Sequence, residues 1–263
     1  MGRVVIKNVI ETEPQSFPEL GNVQMTGGVL SRPVIHGPDR PLSAWQHTLN
    51  KDQEIHWQKP SMGHVIYVMS GSIDVSGSSI DKDGVLIVEH GGETSLRARV
   101  DGTTLLHFHQ ASGTPARAGG HTHICAKSNA AYYHHPHADG FVYADSSCPT
   151  CELWMHKNEF KPGETVGRHS HTEDEIIFVV NGTMKVGRRN LPQGTALAID
   201  ADTVYTFTAG GDGLEFVNFR PFEPSYVMVT PEGKAPPRNE RLSTARMVAE
   251  TAEHGHVNLT ERH

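Results

Sequence analysis

The stretch from Gly167 to Gly182 reads GRHSHTEDEIIFVVNG. Its second half, EIIFVV, is rich in β-branched and aromatic residues, has the length of a strand, and closes on Asn-Gly. Its first half sets His169 and His171 two residues apart, so on a strand both imidazoles point to one face. Glu175 opens the apolar run four residues later, and a carboxylate there can approach two imidazoles already side by side. Two neutral imidazoles and one carboxylate supply half of an octahedral shell and leave positions open. That facial set suits non-haem iron and is also usable by manganese, nickel or zinc. The competing reading is three polar residues on a wet surface.

Outward from this stretch the chain reads as short β-runs punctuated by Gly, Asn, Asp and Pro. HVIYVMSGSIDV (His64–Val75) and EIIFVVNGTMKV (Glu175–Val186) each predict a hairpin, at Ser70-Gly71 and Asn181-Gly182. Gly71 and Gly182 lie 111 residues apart (182 − 71). Upstream of them a Trp-x-His recurs, as Trp45/His47 and Trp154/His156; downstream Gly84 and Gly194 open similar runs. Three anchors in one order predict a duplicated all-β domain, sandwich or barrel. The expected organisation is a first barrel over residues 1–110, a Gly-, Ala- and His-rich linker over 111–140, a second barrel over 141–230 and a helical tail over 231–263. The tail helix is expected over Asn239–Gly255, where Leu242, Ala245, Val248 and Ala249 follow helical spacing.

The chain has 263 residues and a formal charge of -7, which argues against a nucleic-acid partner. No apolar run approaches a membrane span and the first residues do not read as a signal peptide, so a cytoplasmic protein without a membrane partner is expected. Three cysteines, Cys125, Cys148 and Cys151, are too few for a disulfide scaffold. The 18 histidines favour metal or proton chemistry.

Gly163, His169, His171, Glu175 and Gly182 resemble the first motif of the cupins, G-x5-H-x-H-x3,4-E-x6-G, at every fixed position. The resemblance implies an antiparallel jelly-roll barrel with a metal inside, and the duplication implies a bicupin with a short C-terminal helix. It assigns His169, His171 and Glu175 as ligands of one divalent transition metal per chain, with iron first and manganese, nickel or zinc as alternatives. The second motif, G-x5-P-x-G-x2-H-x3-N, is kept only at Gly194; Asp200, Asp202 and Ala209 replace its Pro, Gly and Asn. Tyr205 stands where the fourth ligand, a histidine, belongs. It is read as a phenolate ligand, as a catalytic or hydrogen-bonding group, or as packing. In the first copy Gln58, Pro60 and His64 occupy the ligand positions, so no metal is expected there unless His64 joins His47, His56, His107 or His109 in a different set.

His156 shares a strand face with Trp154 and Asn158, which makes it a candidate general base. Asn218 and Arg220 end the last strand of the second barrel. There they could meet a substrate carboxylate, but the default is a solvated strand end. Cys148 and Cys151, in CPTC, have the spacing of a zinc or redox pair. A zinc would need two more ligands, and His121, His123 and Cys125 are at hand. The function expected is a metal-dependent dioxygenase acting on a small oxygenated molecule. A non-redox lyase, isomerase or decarboxylase, or a non-enzymatic binding cupin, is the alternative. A homodimer is expected, with the late helix covering exposed sheet.

Overall fold

The structure, a computed structural model, describes residues 2–18, 22–111, 113–135, 137–145, 148–222 and 225–236, with the backbone alone of 238–239 and 246–247. The regular elements of the described residues are all β-strands, apart from two 3-10 turns at Val9–Glu11 and Lys127–Asn129. They divide into two compact units.

The N-terminal unit comprises Val9–Lys127 and Ser147–Glu152. One sheet orders the strands Val23–Met25, Glu54–Gln58, Glu93–Ala98, Ser72–Val75 and Ser78–Asp81; the other orders Thr122–Cys125, Val85–Val88, His64–Ser70, Thr103–Gln110, Leu42–Leu49 and Leu30–Ile35. Alternation along these strands sends Ile55, Trp57, Ile66, Val68, Leu86, Leu96 and Leu105 into one apolar core. The expected hairpin at Ser70-Gly71 is not made. Gly71, at a φ of 77°, passes the chain from one sheet to the other. A tight two-residue hairpin lies just beyond, at Ser76-Gly77, where φ values of 52° and 84° give both loop residues the left-handed backbone conformation that such a loop requires.

The C-terminal unit comprises Met1–Asn8, Ser128–Ser146 and Leu153–His263. Its strand Val4–Asn8, from the start of the chain, pairs antiparallel with Thr195–Ile199, so the first residues do not belong with the segment that follows them. The long strands Glu175–Val186 and Tyr205–Arg220 pair at the centre, with Trp154–Phe160 beside the second. Asn181-Gly182 is again no hairpin: Glu175–Val186 runs through it, with register shifts on both sides. A Cβ at Gly182 would stand 2.3 Å from the Gly213 carbonyl oxygen, so the glycine serves a crowded bulge. Ile177, Val179, Leu197, Phe207 and Phe216 form the apolar core.

The stretch expected to be a linker carries the strands Thr122–Cys125, Ala131–His135 and the start of Ala138–Ala144. The expected tail helix is corrected where it is described: Arg246–Met247 is extended and pairs with Ala131–His135. The rest of Asn239–Gly255, beyond the extended Asn239, lies outside the described residues. No helix among the described residues is long and apolar enough to cross a membrane.

Candidate functional site

In the C-terminal unit, strand Thr165–His171 carries His169 and His171 to a cavity of about 310 Å³. Tyr205 is the register partner of His169 and lines the same cavity with His156, Asn158, Asn218, Arg220 and Tyr226. The two imidazoles lie 5.0 Å apart between ring centres, and the Tyr205 ring is 4.3 Å from that of His169. Burial holds both histidines neutral: it pushes His169 down, and pushes His171, with help from the Arg220 charge, down to about 2. His169 donates from Nδ1 to the Gly167 carbonyl at 2.8 Å, which leaves Nε2 as a lone pair suited to a metal.

Glu175 is buried, which by itself would raise its pKa. The Arg220 charge outweighs this, with His171 and bonds from Tyr205 and Asn218, and brings it to about 2. Its Oε2 accepts from Arg220 Nε at 3.1 Å, Arg220 Nη2 at 2.7 Å and Asn218 Nδ2 at 2.7 Å. Asn218 and Arg220 are each 1% exposed, so the solvated strand end expected of them is corrected: they form the counter-charge of a buried carboxylate. Oε1 has no partner in good hydrogen-bonding geometry, although the Tyr205 hydroxyl helps keep the carboxylate ionised.

The donors therefore fit a metal in kind. Two neutral imidazoles line the cavity, and the Glu175 carboxylate lies behind the lining residues Asn218 and Arg220, so His169, His171 and Glu175 are not drawn together. Among the described residues one group alone brings three such donor atoms within 4.8 Å of one another: Glu89, His123 and Cys148, in the N-terminal unit.

His156 is buried and held neutral, with its pKa pushed down to about 3 by burial and then by Arg220. Trp154 donates from Nε1 to His156 Nδ1 at 2.9 Å. The neutral ring therefore carries its proton on Nε2, where it is a donor rather than the base expected from sequence. Trp154 sits two residues away on the same face, so this restriction was legible in the sequence.

In the N-terminal unit, Gln58 is exposed while His64 is buried. His47, His64 and His107 form a hydrogen-bonded chain: His47 Nε2 to His107 Nδ1 at 3.1 Å, and His107 Nε2 to His64 Nδ1 at 2.8 Å. His109 lies beside it, 5.4 Å from His64 between ring centres.

No family model and no curated protein matches the sequence. Solved structures do match. The Ylba protein of E. coli aligns at TM-score 0.64 and 12% identity, over 83% of this chain and 90% of that one. Lactobacillus farciminis oxalate decarboxylase, in complex with formate, aligns at 0.62 and 12%, over 82% and 86%. Bacillus subtilis oxalate decarboxylase, in a structure concerned with its Mn(II) centres, aligns at 0.62 and 12%, over 90% and 79%. The fold is cupin-type. At this identity the likeness speaks for the fold alone.

Proposed function

We propose that the C-terminal unit is a metal-dependent enzyme acting on a small oxygenated organic acid, and that each unit is one barrel of a duplicated pair. The observation that carries this reading is the pair of neutral imidazoles lining one cavity, with an ionised carboxylate held behind it by the lining residues Asn218 and Arg220. His169 through Nε2, His171, and Glu175 through Oε1 would hold one divalent ion, for which iron is our first choice and manganese, as in the oxalate decarboxylase neighbour, the second. When bound, that ion would supply Lewis acidity and open coordination positions.

The chain's own residues set the substrate's charge. Arg220 already balances Glu175, so an ion on two neutral imidazoles leaves the cavity with excess positive charge. An anionic substrate with oxygen donors offsets that excess. Open positions at an iron-type site favour a dioxygenase. A non-redox lyase, isomerase or decarboxylase is favoured by a separate observation: the Tyr205 hydroxyl and the His156 Nε2–H are two donors beside the same cavity. The homodimer belongs to this proposal, and light scattering tests it.

The deciding experiment loads untagged protein with iron(II) or manganese(II) and offers small hydroxy and keto acids with and without oxygen. Oxygen uptake with incorporation into product supports the dioxygenase. Turnover without oxygen uptake selects the non-redox reading. A C-terminal unit that binds neither ion sinks both. Tyr205→Phe is expected to keep the metal and lower turnover about 10²–10⁴-fold, the range for a positioned proton donor or acceptor.

A further inference from the structure

Three segments distant in sequence bring a carboxylate, an imidazole and a thiol together in the N-terminal unit. Glu89 follows the strand Val85–Val88, and its Oε2 accepts from the His121 backbone N–H at 2.9 Å. His123 lies on Thr122–Cys125, the strand paired with Val85–Val88, and its Nε2 is 2.7 Å from Glu89 Oε1. Cys148 arrives on the returning segment Ser147–Glu152; its Sγ is 3.8 Å from His123 Nε2 and 3.9 Å from Glu89 Oε1.

The surroundings fix each donor. The Cys151 backbone N–H donates to Cys148 Sγ at 3.3 Å, which orients the sulfur. Thr150 donates from Oγ1 to Glu89 Oε1 at 2.8 Å. Arg117 donates from Nη1 to the carbonyls of Cys148 and Cys151 and so braces the Cys-Pro-Thr-Cys turn from behind. Glu89 is buried, whereas His123 and Cys148 are half-buried, which leaves a way in from solvent.

We propose that Glu89, His123 and Cys148 bind one zinc-type divalent cation. A hydrogen-bonded His–Glu pair accounts for two of these groups. It does not account for a thiol poised at nearly equal distance from both. One hard oxygen, one imidazole nitrogen and one soft sulfur together suit borderline zinc better than magnesium or calcium, which take oxygen. Tetrahedral zinc ligands stand about 3.3–3.6 Å from one another at ordinary bond lengths. The observed 2.7, 3.8 and 3.9 Å bracket that value, so the pair opens and the sulfur closes by a few tenths of an ångström. Binding forms the metal–sulfur bond and releases the Cys148 thiol proton to solvent. His123 presents Nε2 as a lone pair with its ring proton on Nδ1, and water takes the fourth position. The ion then bridges residues 34 and 25 positions apart and pins the returning segment to two strands.

The test is cobalt(II) titration of the full metal-free chain. A thiolate-to-cobalt charge-transfer band in the near ultraviolet is expected at one equivalent, displaced by zinc. It is expected to vanish in Cys148→Ser and fall at least tenfold in apparent affinity in His123→Ala. Cys151→Ser and His169→Ala should leave it unchanged; the second separates this site from the ion proposed in the C-terminal unit, which has no sulfur ligand. Absence of the band from the unmodified chain overturns the proposal whatever the variants do. Persistence in Cys148→Ser overturns it too.

Discussion

Positions 64 and 175, 107 and 218, and 109 and 220 lie 111 residues apart (175 − 64, 218 − 107, 220 − 109) and hold matching places in the two units. In the C-terminal unit they are Glu175, Asn218 and Arg220, a buried ion pair braced by an amide. In the N-terminal unit they are His64, His107 and His109, all buried and all held neutral, chiefly by burial. There His47 Nδ1 meets Ser31 Oγ at 2.9 Å, and the Ser31 hydroxyl donates to Met25 Sδ at 3.7 Å. Ser31 therefore accepts from His47, and one sense of donation runs from His64 through His107 to His47. Equivalent interior positions can thus be satisfied either by opposite charges or by consistent tautomers. The first way leaves a charge stranded when one member goes. The second does not.

The largest contrast concerns metal. In a Cys148→Ser background, His169→Ala should lower manganese or iron affinity by more than about 100-fold, since losing a ligand costs more than losing a group that only hydrogen-bonds to one. His64→Ala should leave it unchanged. If elemental analysis finds both variants equally depleted, the assignment of the metal to the C-terminal unit fails.

Next comes the charge itself. Arg220→Leu strands the Glu175 carboxylate and should cost about 3–5 kcal/mol in urea unfolding. His109→Leu removes a neutral ring whose Nε2 has no hydrogen-bond partner among the described residues, and should cost no more than about 1–2 kcal/mol. Equal costs would break the comparison. Recovery in Glu175→Leu with Arg220→Leu would sharpen it, because replacing both charges removes the stranded one.

Much of this arrangement was out of reach of the sequence, for physical reasons. The His169–His171–Glu175 spacing is local, so it was legible. The partner of Glu175 is Arg220, 45 positions away, and only strand pairing brings them together. Asn-Gly marks a backbone that turns left-handed, which a hairpin, a bulge or a change of sheet can each use. The Trp-x-His repeat aligned Trp45 with Trp154, yet the registers Trp45–His107 and His156–Asn218 equate Trp45 with His156. The sequence match was two residues out of structural step. Glu89 carries no local signal, because its two partners lie on a neighbouring strand and a returning loop.

Acid acts on buried rings in both units, since His156, His169 and His171 are lowered as the N-terminal histidines are, and the smaller test falls on one N-terminal ring. His47 and His109 have pKa values pushed down to about 3 and about 4, with burial the first cause, and His64 and His107 lie well below the ordinary value. An unfolded chain protonates these rings near pH 6.5 while the folded chain does not. Their contribution is therefore intact above pH 6.5 and is lost as pH falls toward 4 and 3. Each excluded proton gives a slope of about 1.4 kcal/mol per pH unit. His109→Leu should reduce the pH dependence of the urea midpoint between pH 6 and 4 by about one proton. An unchanged slope would show that this ring takes up its proton in the folded state.

The smallest effect tests the two tryptophans that the sequence aligned. Trp154 Nε1 donates to His156 Nδ1, so Trp154→Phe removes a buried hydrogen bond and leaves an imidazole nitrogen unpaired, at about 1–2 kcal/mol beyond the lost ring area. It also releases the tautomer: Nδ1 can then carry the proton and Nε2 can face the cavity as a lone pair. Trp45 Nε1 is buried without a hydrogen-bond partner among the described residues, so Trp45→Phe deletes an unsatisfied donor and should cost only the area. Unfolding midpoints in urea measure the difference, and the nitrogen chemical shifts of His156 report which ring atom holds the proton. Equal costs, with His156 still protonated on Nε2 in Trp154→Phe, would mean that the cavity fixes this ring without its tryptophan.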